Sequence, residues 1–222
     1  MTEEFKRPLS LVEATMNGIR SAIIGGNLSF GQILTESYLQ KTFGFSKTPI
    51  REALAQLKAE GIVVSEVHKG YKVFKMDEKE LSEFCEFRLA LESQALRSAY
   101  KNNRLELARV LKDFIKDFKE SIKVNDFKKY NLIDTKFHKS FFILSSNRYL
   151  IKNYENINSI IETIRTHSGA AIVKNAGLGS IKGHISIFKH IKENNLNMAL
   201  NELDKHINSW HDDRIIKSSL IA

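Results

Sequence analysis

The chain of 222 residues has a single cysteine, Cys85, so no intrachain disulfide can form and a reducing cytoplasm suits it. Cys85 stands among apolar residues and reads as a small core side chain. There are only two prolines, Pro8 and Pro49, so everything beyond residue 50 lacks the strongest helix breaker. No apolar run approaches the ~20 residues of a membrane span. Thr2 to Pro8 is charged and polar, which does not fit a secretory signal. Internal repeats and low-complexity linkers are also missing. These absences exclude a disulfide-stapled secreted scaffold, a membrane protein and a solenoid, and the expected location is the cytoplasm.

What is present is positive charge. The formal net charge is +8 and the pI about 9.4, which suits a polyanionic partner. The excess is uneven. Between residues 41 and 75, seven basic residues (Lys41, Lys47, Arg51, Lys58, Lys69, Lys72 and Lys75) face three acidic ones (Glu52, Glu60 and Glu66).

The run F-G-F-S-K-T-P-I-R-E-A-L-A-Q-L, Phe43 to Leu57, lies inside that basic stretch. Gly44 permits the positive φ of a tight turn between helices. Ser46 is a good N-cap, whose hydroxyl can accept from a backbone N–H two or three residues on. Pro49 falls in the first turn, where its missing N–H does no harm. Ile50, Ala53, Leu54 and Leu57 recur at helical spacing and predict the buried face. Lys47, Thr48, Arg51 and Gln56 fall off that face. A helix N-terminus bearing cationic side chains favours phosphates and base edges; a capped surface helix would share the cap and the stripe.

The flanks add context. Residues 11–25 read as a helix with Val12, Met16, Ile19, Ala22 and Ile23 inward, ended by Gly25-Gly26. A turn follows at Ser29 to Gly31, and Thr35 can cap a second helix through Phe43. Gly61 breaks the third, and I-V-V-S-E-V-H-K-G-Y-K-V-F reads as two strands around a turn at His68 to Gly70. Helix, helix, reading helix and β-hairpin make a winged helix-turn-helix over residues 1–76.

The order I-x-x-G-x-L, G-x-x-L-T-E, G-F-S-K-T-P-I-R-E-A-L-x-x-L-x-x-E-G and H-K-G-Y-K-V resembles the GntR family of bacterial transcription regulators. The resemblance implies DNA contacts from Lys47, Thr48 and Arg51, with Gly70 at the wing tip letting the backbone approach the minor groove and Lys69 beside it. Lys47 stands where the family usually has Arg, which favours a point-charge contact over bidentate reading of guanine. Ser37 stands where an Arg is common, so one contact is lost.

Residues 77–222 read as an all-α bundle of six or seven helices, with helical stretches near 77–101, 104–123, 126–145, 148–167, 178–194 and 197–217. The expected breaks are Asn102-Asn103, Asn125-Asp126, Ser145 to Asn147, Gly169 to Gly179 and Asn194-Asn195; Asp126, Asn147 and Asn197 are the expected caps. Six antiparallel helices of this length leave room for a central pocket. Asp134 and His138, four apart, share one helix face. With His184 and His206 they form a carboxylate and three imidazoles on three helices, a set that suits Zn²⁺, Ni²⁺ or Mn²⁺. Hydrogen-bonded interhelix histidines are the alternative for each.

R-L-A-L-E-x-x-A at Arg88 to Ala95, D-x-x-F-H at Asp134 to His138, S-N-R-Y-L at Ser146 to Leu150, G-H-x-x-I at Gly183 to Ile187 and A-x-x-x-L-x-x-H-I at Ala199 to Ile207 resemble the FCD domain. That is the effector-binding bundle of the FadR-type branch of the GntR family. The resemblance implies a divalent metal held by Asp134, His138, His184 and His206, and a small carboxylate effector. Arg88 and Arg165 are the candidates to hold that effector; for each an interhelix salt bridge is the alternative, Arg88 with Glu92 among them.

The expected protein is therefore a homodimeric repressor that binds a palindromic double-stranded operator and answers to a small organic acid. A metal sensor without an organic effector remains open. So does a metal-dependent enzyme, although no H-E-x-x-H and no nucleophile elbow is present.

Overall fold

The computed structural model describes residues 9–66, 70–175, 177–212 and 214–221, with the backbone alone over 168–175, 177–180, 211–212, 214–215, 219 and 221. The chain divides into two compact units, Met1–Lys75 and Met76–Ala222.

The first unit holds α1 (Leu11–Ile24), β1 (Ile33–Leu34), α2 (Glu36–Phe43), α3 (Lys47–Ala59), β2 (Val63–Glu66) and β3 (Gly70–Val73). Ser10 and Glu13 form a reciprocal capping box at the start of α1, satisfying two backbone donors at once. Thr35 caps α2 through Tyr38 N–H, and Gly44 ends α2 at φ 75°. Ile50, Ala53, Leu54 and Leu57 of α3 are buried, as are Ile19, Ile23 and Leu39, and α3 packs on both α1 and α2. Full burial of one such Leu or Ile contributes about 1.5–3 kcal/mol. Val12, Met16 and Ala22 are only half-buried, and Thr15 takes a buried position instead. Arg20 Nε donates to Glu60 Oε2 at 2.9 Å, tying α1 to the end of α3.

Two local expectations need correction. Ser46 occupies the N-cap of α3 but makes no side-chain cap bond. The hairpin also has a third partner: β1 pairs antiparallel with β3, Ile33 opposite Lys72 and Leu34 opposite Tyr71, giving the order β1-β3-β2. Two residues are too few to show an alternation in sequence; the free edge of β3 makes them a strand.

The second unit is helical: α4 (Glu78–Lys123), α5 (Phe127–Ser145), α6 (Arg148–Asn175), α7 (Gly177–Lys192), α8 (Leu196–Asp212) and α9 (Arg214–Ile221). A capping box of Asp77 and Glu80 starts α4, and Asn103, with φ −160° and ψ 84°, kinks it where the paired asparagines stand. Asn125, Ser146 and Asn194 take positive φ at three of the other expected breaks. Asn147 Oδ1 caps α6 through Tyr149 N–H. The cap of α8 is Asn195, which accepts from Met198 N–H, and not Asn197. Helix also runs further than expected through Gly169, to Asn175, and resumes at Gly177. One glycine in a helix costs only about 1 kcal/mol relative to alanine, too little to end it before Ala170-Ala171. Where one helix was expected over 197–217, α8 and α9 lie either side of residue 213.

Cys85 is fully buried on α4, and burial pushes its thiol up to about 11 against the opposing pull of Arg88. Almost no thiolate, the reactive form, exists at pH 8. The native protein is expected to leave Cys85 unlabelled by an aromatic disulfide reagent at pH 8 and to react fully in guanidinium; rapid native labelling would place this thiol outside the core. Among the described residues no helix is long and apolar enough to cross a membrane.

Candidate functional sites: an exposed reading helix and a buried Asp/His cluster

In the first unit Lys47, Thr48, Arg51 and Gln56 are all exposed on α3, opposite the buried stripe. Lys47 and Thr48 are its first two residues, so unsatisfied backbone N–H groups and the positive end of the helix dipole lie beside them. Arg51 Nε pairs with Glu36 Oε1 of α2 at 2.6 Å. That bond lowers the pKa of Glu36 and raises that of Arg51. The pair is solvent-exposed and therefore weak; it orients the guanidinium outward without sequestering it. Gly70 is exposed at φ 89°, and a Cβ there would touch nothing within 4 Å, so its backbone angle is what demands glycine. Lys69 and His68 lie outside the described residues.

In the second unit Asp134 and His138 project from α5, His184 from α7 and His206 from α8 into one buried cluster. His138 Nε2 lies 3.2 Å from His206 Nε2 and 3.3 Å from His184 Nε2. Asp134 Oδ1 lies 3.2 Å from His184 Nε2. Gly183 makes this approach possible: a Cβ there would sit 2.8 Å from His206 Nδ1. Aromatic rings wall the cluster, Phe118 stacking on His184 with centroids 4.6 Å apart and Phe137 meeting it edge-on.

A carboxylate the sequence reading treated only as a salt-bridge partner orders this cluster. Glu92 of α4 takes His138 Nδ1 at 2.5 Å through one oxygen and Arg88 Nε at 2.6 Å through the other. With Nδ1–H donating to Glu92, His138 turns an Nε2 lone pair toward the other ligand atoms. Burial would raise the Glu92 carboxyl, but Arg88 and His138 hold it at about 2. Burial pushes His184 down despite Asp134, and pushes His206 further, helped by His184 and His138. Burial would likewise raise Asp134, yet Arg165, His184 and His138 keep it well below the carboxylate range. Imidazole nitrogens and a carboxylate converging within 4.8 Å are the donor set a divalent ion requires, so the cluster can hold a metal.

Both arginines named as effector contacts are engaged. Arg88 is buried, bonded to Glu92, and stacked on Trp210 with its guanidinium carbon 4.6 Å from the ring centre. Arg165 pairs with Asp134 and donates to Thr135 Oγ1 at 2.8 Å. Arg165 thus forms an interhelix salt bridge, and Arg88 pairs within α4. The i,i+4 spacing of Arg88 and Glu92 was legible in sequence; Trp210, over a hundred residues on, gave no signal.

Residues 83–209 match the FCD domain family, and residues 11–73 match the family described as bacterial regulatory proteins, gntR family. The chain belongs to the GntR family. It is a transcriptional regulator with a DNA-binding winged helix-turn-helix and a helical FCD domain. This GntR regulator is 26% identical to the HTH-type transcriptional regulator YdhC of Bacillus subtilis (strain 168), over 92% of the chain and 90% of that protein. It is 31% identical to the gluconate operon transcriptional repressor of Bacillus licheniformis, over 65% of the chain and 59% of the repressor. A GntR transcriptional regulator from Rhodococcus sp. RHA1 shares its fold at a TM-score of 0.74 and 17% identity, covering 92% of this chain and 97% of the other. McbR/YncC of E. coli does so at 0.70 and 17%, covering 91% and 95%.

Proposed function

We propose that this GntR regulator is a cytoplasmic, homodimeric repressor whose FCD domain binds a divalent metal ion and a small carboxylate, altering operator affinity. The convergence of Asp134, His138, His184 and His206 with a balanced set of charges carries this reading. Arg88 cancels Glu92 and Arg165 cancels Asp134, and an imidazole that ligates a metal does so in its neutral form. A divalent ion held by the four ligands then leaves two uncompensated positive charges in a buried site, which an anionic ligand offsets. When bound, the ion supplies a Lewis-acidic charge to which a carboxylate can coordinate. Zn²⁺, Ni²⁺ and Mn²⁺ all suit the nitrogen-rich donor set.

In the first unit, Lys47, Thr48 and Arg51 meet the major groove while Gly70 and Lys69 approach the minor groove. Two such units in a dimer address two half-sites of a palindrome. An effector that favours one arrangement of the dimer changes operator affinity by the coupling free energy, typically ~1–3 kcal/mol. The repressor names of the relatives support the direction of control. A thermal-shift screen of carboxylic acids, with and without chelator, tests the reading: stabilisation that requires metal is expected, whereas a response to metal alone would mark a metal sensor and turnover an enzyme.

Glu92 has its own test. Glu92→Gln cannot hold Arg88 and His138 together, since one neutral amide oxygen replaces two charged ones. Metal affinity is expected to fall about 10–100-fold, read by competition with a chelating dye. An unchanged affinity would remove Glu92 from the site.

A further inference from the structure

The outward row of α2 carries a cation that no carboxylate engages. A helix turns about 100° per residue, so the buried side of α2 at Leu39 fixes where its other side chains fall. Glu36, Gln40 and Phe43, each half-buried, line the edge next to it. Glu36 shows that this edge meets α3, because it bonds Arg51. Ser37 and Lys41, about 6 Å apart along the axis, form the next row outward, and both are exposed. Ser37 is short, and its hydroxyl lies 3.2 Å from Thr35 Oγ1. Lys41 has the reach that Ser37 lacks. In the first unit Glu36 pairs with Arg51, Glu60 with Arg20 and Glu66 with Lys72; among the described residues no ion pair includes Lys41.

This row is continuous with the reading surface. Arg51 and Glu36 join α3 to α2 on their exposed sides, and Lys47 opens α3 across the short turn at Gly44. In a helix-turn-helix the recognition helix enters the major groove while the helix before it crosses the backbone. A side chain on the row of α2 turned away from α3 therefore meets phosphates and not base edges. An ammonium suits that place, being a point charge with three rotatable donors and no fork to match a base. We propose that Lys41 is a backbone anchor: it grips a phosphate beside the groove that α3 enters, so the DNA surface of this chain extends onto α2. It supplies, from one turn further along, a contact that Ser37 cannot make. Phosphate contacts add affinity and fix register without reading sequence, so the work on α2 is divided. Glu36 steadies the reading guanidinium, and Lys41 holds the strand. The assignment rests on the placement of α3 in the major groove proposed above.

The test compares Lys41→Gln with Lys58→Gln in the full chain. Lys58 is also exposed in the last turn of its helix, but at the far end of α3 from Lys47 and Arg51. The two variants thus remove the same charge, and the same favourable partner of a helix C-terminus, from different places. Fluorescence anisotropy over a range of salt reads binding to two probes, the duplex that the wild-type chain selects from a randomised library and poly(dI-dC). Lys41→Gln is expected to weaken binding to both by about three- to tenfold. It should also flatten the plot of log K against log salt by about 0.9, with the ratio between the two probes unchanged. Lys41→Arg should keep wild-type slope and affinity, and Lys58→Gln should leave both alone. An unchanged slope in Lys41→Gln, or an equal change in Lys58→Gln, overturns the anchor. So does a loss confined to the selected duplex, which would make Lys41 a base reader. Gln and Met match Lys in helix propensity; should Lys41→Gln lose helicity by circular dichroism, Lys41→Met decides by the same criteria. Arg51→Ala separates the two layers, because it should lower the ratio between the probes. An intact ratio in Arg51→Ala beside a flattened slope in Lys41→Gln sinks the role of Arg51 and leaves the phosphate contact at Lys41 standing.

Discussion

Zinc-loaded protein carrying His184→Ala and His206→Ala together is expected to lose stoichiometric metal, with affinity down by more than about the 100-fold that even an outer partner of a ligand can cost. Two of the three imidazoles go, and the remaining Asp134 and His138 lie on one helix with Asp134 already paired to Arg165. A carboxylate and one imidazole cannot complete the four-coordinate shell that zinc prefers. The variant also destabilises the fold, since His184 stacks on Phe118 and truncating a large core ring leaves a cavity. Elemental analysis must therefore be paired with circular dichroism, and the milder His206→Gln variant, which keeps volume, should show reduced metal with intact helicity. One metal per chain in the folded double variant would show that the ligand set is wrong.

Arg51→Ala is expected to weaken operator binding by roughly tenfold to a hundredfold while leaving metal content unchanged. The guanidinium projects from the first turns of α3, held by Glu36 at 2.6 Å. On approach to DNA a phosphate or base edge replaces that exposed carboxylate, a cheap exchange because solvent screens the pair. Lys47 beside it offers a point charge only, so Arg51 is the sole guanidinium on α3 able to make a bidentate contact. Gel-shift titration at several salt concentrations reads both effects: wild type should show a steep fall of affinity with salt, and the variant a shallower one. Unchanged operator affinity would dismiss Arg51 from the DNA surface.

Much of the fold was legible because its signals are local. Caps at Thr35, Asp126 and Asn147, the interruption at Asn102-Asn103 and the buried stripe of α3 each depend on residues within a turn or two. Where local signals were thin, the reading slipped. Ser46 supplies a cap position without a cap bond, Gly169 predicts a break that the helix absorbs, and β1 exists only because β3 has an edge to offer. The four candidate ligands were found through residue type and motif, yet nothing in their spacing states that the Nε2 atoms of His206 and His184 lie 3.2 and 3.3 Å from that of His138.

By itself the sequence determined a winged helix-turn-helix, an all-α second domain and the side chains available for DNA and metal. Tertiary structure decided how those side chains are spent. It turned Arg88 onto Glu92 and Trp210, Arg165 onto Asp134, and Glu92 onto His138, 46 positions away. Among the described residues it also left the Tyr154 hydroxyl and Asn158 Oδ1 buried without hydrogen-bond partners, which helical periodicity does not reveal. Pairing between buried polar groups depends on which helices meet and in what register, and that is set by packing of the whole bundle rather than by any one stretch of chain.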